Sequence, residues 1–162
     1  MPTVYSSQYT DAYISKPVVK IPPGYVAGEV KFLYFSFALP GAVVAAADVI
    51  KLGKLPKGAM VLDACLSFPD LGTTGVMDLG WAASVEVDSA GTALELADAD
   101  GLMAAVDMKA AAAIVNMADV AGAEVAGFLK EFAAQVDIQL VASEATTATT
   151  GTIKGYIQYV TI

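Results

Sequence analysis

Between Asp48 and Asp88 the sequence alternates with a period of two, and few folds accommodate that pattern. Ile50 and Leu52 alternate with Lys51 and Gly53. Met60, Leu62, Ala64, Leu66 and Phe68 alternate with Val61, Asp63, Cys65 and Ser67. Met77, Leu79, Trp81, Ala83, Val85 and Val87 alternate with Asp78, Gly80, Ser84, Glu86 and Asp88. Apolar side chains on one phase and carboxylates or serines on the other mark half-buried antiparallel strands. Leu55-Pro56-Lys57-Gly58 supplies a tight turn, with proline presetting φ and glycine relieving the last position. Pro69 to Gly75 is a longer loop. The three runs predict a β-meander.

The remaining chain extends this pattern. Val30 to Leu39 is the most aromatic stretch, with Leu33, Phe35, Phe37 and Leu39 on one phase and Phe32 and Tyr34 on the other. A strand apolar on both faces is covered twice within its fold or faces another chain. Asp98, followed by Leu102, Met103, Val106 and Ala110, reads as an aspartate cap before a helical stripe and predicts a short helix over 99–108. Ala111 to Ala126 is alanine-rich and its periodicity decides nothing, while Val125 to Phe132 reads as a strand. Val136, Ile138, Leu140 and Ala142 form an amphipathic strand, expected to pair as a hairpin with Ile153, Ile157 and Tyr159 across the polar turn 143–151. The expectation is a mainly β chain: an antiparallel β-sandwich, jelly-roll-like, with one short helix. A sandwich domain spans 29–162 behind an extended N-terminal arm, 1–28.

Composition excludes more than it assigns. With 17 acids, 9 lysines, no arginine and no histidine, the net charge is −8. Nucleic-acid binding needs clustered cations, so no nucleic-acid partner is expected. The lack of histidine removes the Ser-His-Asp and Cys-His arrangements and the commonest zinc ligand. The hydrophobic fraction is 56%, yet no uninterrupted apolar run approaches the ~18 residues of a membrane span. The N-terminus does not read as a signal peptide.

Individual candidates for chemistry have structural readings of greater weight. Cys65 lies on a strand, where a buried thiol is expected rather than a nucleophile. Asp78 and Asp88 lie on the solvated phase. Gly72-Thr-Thr-Gly75 lacks the lysine and helix start of a phosphate cradle. Trp81 shares the core phase of Leu79 and Ala83, against a role as a sugar-stacking platform. Asp98, Asp100, Gly101 and Asp107 match part of a calcium loop, but Leu96 stands where its first ligand belongs. Neither cofactor nor metal is expected, and no constellation supports catalysis.

The arm has a different character. Pro2, Pro17, Pro22 and Pro23 bar it from a central strand, and Tyr5, Tyr9 and Tyr13 recur every four residues. Tyrosine suits an interface, having an apolar ring and a polar tip. Tyr5, Tyr9, Tyr13, Phe32, Tyr34 and Tyr156 are therefore the candidate partner-binding residues, with Val160 a further possible contact.

Three segments carry a resemblance: 47–81, including DVIKLGKLPKGAMVL, the DADGLMAAVDM segment at 98–108, and 136–160. In this order they resemble the capsid decoration, or cement, proteins and related small virion structural proteins of tailed bacteriophages. The resemblance covers 30–162 in outline, and its most specific part is a structural motif. It implies a jelly roll, commonly a homotrimer, seated on the outer face of the major capsid protein lattice and assembled in the bacterial cytoplasm. Some relatives serve as head fibres or tail components, so an adhesion module for host carbohydrate is the alternative. No membrane partner is implied.

Overall fold

The structure, a computed structural model, describes residues 29–109, 111–120 and 127–162. The N-terminal arm, with Tyr5, Tyr9 and Tyr13, lies outside the described residues. Eight strands follow in order: β1 (Lys31–Ala38), β2 (Val49–Leu55), β3 (Ala59–Phe68), β4 (Val76–Trp81), β5 (Asp98–Asp107), β6 (Ala113–Asn116), β7 (Val136–Glu144) and β8 (Thr152–Thr161). They form two antiparallel four-stranded sheets, ordered β1-β8-β3-β6 and β2-β7-β4-β5. This is a β-sandwich of jelly-roll topology.

The strand order corrects two expectations. The stretch 48–88 is not a meander, because β2 and β4 lie in one sheet and β3 in the other. Likewise β7 and β8 do not pair as a hairpin but sit in opposite sheets. Each apolar face finds its cover across the sandwich, and a short turn cannot reveal whether the chain stays in its sheet. The turn itself closes as its residues require: Ala59 N–H donates to the Pro56 carbonyl at 3.1 Å, and Gly58 takes φ of 74°.

The helix expected over 99–108, with Asp98 as its cap, is instead strand β5, which Asp98 opens. Its buried positions, Gly101, Leu102, Met103 and Val106, mimic helical spacing because the β4–β5 ladder shifts register twice. Ala105 takes φ of 50°, and its N–H donates to Asp78 Oδ1 at 2.6 Å. A bulge inserts a residue and breaks the period of two, so a bulged strand imitates a helix in sequence. Gly101 is needed here, since a Cβ would collide with the Trp81 ring. In the remaining stretches, β6 occupies 113–116 and a single 3₁₀ turn spans Met117–Asp119. The strand expected over 125–132 is, where described, a turn from Gly127, then Glu131 bridged to Met60.

The core lies between the sheets. Leu55, Leu66, Leu79, Leu102, Ile138 and Ile157 are fully buried within it. Trp81 closes one end, its ring set edge-on to Phe132 at 5.1 Å between centroids. Strand β3 has its own phase change. Its pairing with β8 shifts between Val61 and Asp63, so Val61 joins Ala64, Leu66 and Phe68 in the core. Leu62, on the apolar phase of the sequence, is half-buried instead.

Val61→Asp should therefore abolish stable folding, because it buries an unpaired charge. Leu62→Asp should leave a folded protein with a modest loss of stability. Urea unfolding followed by circular dichroism distinguishes them, and the reverse ranking would refute the bulge.

Candidate interaction surfaces

Core packing of Leu33, Phe35 and Phe37 turns the other phase of β1 outward. Tyr34 is 71% exposed and Phe32 45%. In the register, Tyr34 lies opposite Tyr156 of β8, which in turn lies opposite Cys65 of β3. The Phe32 and Tyr34 rings stack at 5.5 Å, and both meet Tyr156 edge-on, at 5.7 and 6.3 Å. Three of the six sequence candidates thus form one aromatic cluster on the outer face of this sheet. Val160 does not join it, being buried opposite Met60.

Cys65 lies beneath the cluster. Burial pushes its thiol pKa up and the charge of Asp63 adds to this, while a hydrogen bond with Tyr156 opposes them. Burial, followed by Cys65 and Asp63, likewise raises the Tyr156 phenol. A buried thiol held protonated is a poor nucleophile.

A second exposed surface is not evident from the alternation of the sequence. Strand β4 ends at Trp81, and the alternation continuing through Val87 belongs to a hairpin that leaves the sheet. Ser84 N–H donates to the Glu95 carbonyl at 2.9 Å, and Leu94 N–H to that of Glu86 at 3.0 Å. Val87 bridges Ala93. At the tip, Asp88 Oδ1 accepts from Ala90 and Thr92 N–H at 2.8 and 2.9 Å. Val85 is 94% exposed and Leu96 68%, with Val87 and Leu94 also exposed. The aliphatic character of the run was visible in the sequence, but which side faces solvent depends on where β4 stops.

The base of this hairpin is fastened by a buried carboxylate. Glu95 Oε2 pairs with Lys130 Nζ at 2.9 Å, and Glu95 Oε1 accepts from Ala133 N–H at 2.6 Å. Lys130 also lies over the rings of Trp81 and Phe132, at 6.0 and 5.7 Å. Trp81 Nε1 donates to the Leu96 carbonyl at 2.9 Å.

The candidates for chemistry are occupied structurally. Asp78 holds the Ala105 bulge and accepts from Ser143, while Asp88 holds its own turn. In the Gly72–Gly75 loop, Gly72 N–H donates to Asp70 and Thr73 N–H to Thr147, so these donors are taken. Among the described residues, no three acidic or cysteine side chains group as metal ligands. Asp98 neighbours Asp100 in β5; burial first, then hydrogen bonding and repulsion from Asp100, raise its pKa.

The fold is shared with phage capsid chains. A chain from the capsid of Ralstonia phage GP4 matches with a TM-score of 0.64 and 26% identity, over 88% of this chain and 90% of that one. A chain of the cyanophage Pam1 capsid asymmetric unit matches at a TM-score of 0.56 and 20% identity, over the full length of both. No protein-family model and no curated protein sequence matches the chain.

Two measurements check the burial of Cys65 and the environment of Asp98. Cys65 should resist a water-soluble disulfide reagent in the folded protein and react stoichiometrically in urea; rapid native labelling would contradict its burial. Asp98 binds its proton more tightly folded than unfolded, so its ionisation at neutral pH costs stability. Asp98→Asn should raise Tm at pH 7, and the gain should vanish below the ordinary aspartate value of 3.8. A fall in Tm at pH 7 would show that the carboxylate stabilises the fold.

Proposed function

We propose that this chain is a non-catalytic structural protein of a tailed-phage virion that decorates and stabilises the outer capsid surface. The observation that carries the reading is the shared fold and 26% identity with a chain of the Ralstonia phage GP4 capsid, over nearly the whole length of both. Charge supports an outward position. A protein of net charge −8 without arginine would be repelled by packaged nucleic acid on the inner face of a shell.

Two kinds of contact follow from the surfaces. The cluster of Phe32, Tyr34 and Tyr156 joins copies of the chain into a homotrimer, since closed symmetry lets one patch serve every subunit. The major capsid protein is the other partner, gripped in part by the arm, where Tyr5, Tyr9 and Tyr13 provide aromatic anchors. Ordering such an arm costs ~1 kcal/mol or more per residue, so few anchors repeated over several subunits hold it. Assembly takes place in the bacterial cytoplasm, which suits a chain whose one cysteine is buried and free.

Light scattering after gel filtration should give about three times the chain mass of 16.6 kDa, and Tyr34→Asp should lower it towards one chain. A monomer in the unaltered protein would count against association through the aromatic cluster. Heads lacking the protein should bind the intact chain and gain resistance to heat. A form without residues 1–28, folded by circular dichroism, should bind weakly; equal binding would remove the arm as an anchor.

A further inference from the structure

We propose that the hairpin between β4 and β5, residues 82–97, is a preformed docking knob for an apolar pocket rimmed by basic side chains on another virion protein. The inference rests on the reading of the chain as a virion component and names the contact by which it seats. Val85, Val87, Leu94 and Leu96 are all exposed, and they gather on one short projection. Scattered exposed aliphatics are ordinary, whereas a cluster of four on one excursion marks a contact surface.

The hairpin is held in shape before any partner arrives. Its two arms are joined by the Ser84–Glu95 and Glu86–Leu94 backbone bonds. Its base is tied down by Trp81 Nε1 and by the Glu95–Lys130 pair. Preorganisation lowers the ordering cost that opposes docking. Position adds to this. Lys31, Ala59, Trp81 and Thr161 mark strand ends at the same end of the sandwich, so β1 begins at the end from which the hairpin projects.

Charge selects the occupant. The hairpin itself carries no lysine, while Glu86, Asp88, Asp98 and Asp100 lie on or beside it; the lysines next to it, Lys54 and Lys130, are paired with Asp137 and Glu95. A partner pocket must therefore offer cations around an apolar floor. A second copy fits poorly. Its apolar cleft, lined by Phe37, Val43, Val44, Val49 and Ile50, carries Asp48 at its rim. The lysine there, Lys51, is already engaged by Asp137 at 2.6 Å.

The test measures binding to purified heads assembled without this chain, at several salt concentrations. Wild type is compared with Val85→Asp/Leu96→Asp, the milder Val85→Ser/Leu96→Ser, and Glu86→Lys. Each is first checked for unaltered circular dichroism and Tm. The serine pair keeps the test valid should the aspartates unfold the chain. Loss of two aliphatic anchors should weaken Kd about 100-fold. Glu86→Lys should weaken it about tenfold and flatten its salt dependence. Folded variants that bind as tightly as wild type overturn the knob and leave the virion reading intact. Variants that bind heads normally but lose trimer mass place the hairpin against a second copy, which also overturns it. Failure of wild type itself to bind heads contradicts the virion reading first.

Discussion

Strands β7 and β8 are the insertions on which both sheets close. Each sits inside its sheet: β8 between β1 and β3, and β7 between β2 and β4. Among the described strands, β1 pairs with β8 alone and β2 with β7 alone, joining Lys31 to Tyr159 and Val49 to Val141. The first two strands therefore have no ladder until the last quarter of the chain arrives. Long-range closure of this kind predicts slow folding, because the loop entropy is lost before the pairing is gained. It also explains why Ile138, Leu140, Ile153 and Ile157 are among the fully buried side chains.

The same closure gathers strand ends around Trp81 and Phe132, where the interior admits its main charged group. Glu95 is 7% exposed, and an unpaired carboxylate there would be costly. Lys130 and the Ala133 N–H satisfy it, and among the described residues no buried side-chain nitrogen or oxygen lacks a partner. The pair links the β4–β5 excursion to the segment before β7, so packing at the end of the core fixes the hairpin's posture outside it. That posture presents the proposed docking surface, aliphatics that the core does not use, at one end of the sandwich.

Much of the core was legible residue by residue. Leu79, Trp81, Phe35, Ile138 and Ile157 all face inward as their phase requires. Pairing was less legible, because period-two patterns state which face is buried without saying which strand covers it. The bulges at Val61–Asp63 and Ala105 account for the wrong phase at Leu62 and for the helix expected at 99–108. The aromatic cluster was anticipated from the two-sided apolar pattern of β1, though its union with Tyr156 required the β1–β8 register. The hairpin surface stayed hidden because Val85 and Val87 continue the phase of Trp81 past the point where the strand leaves the sheet.

The proposed position of this sandwich, on the outside of a phage capsid, is open to direct observation. The test is a cryo-electron microscopy reconstruction of purified particles of the phage that encodes it. Jelly-roll density is expected on the outer face of the shell, with the end bearing Trp81 and the hairpin turned towards the lattice. Particles without this chain, or density on the inner face against the packaged genome, would contradict it.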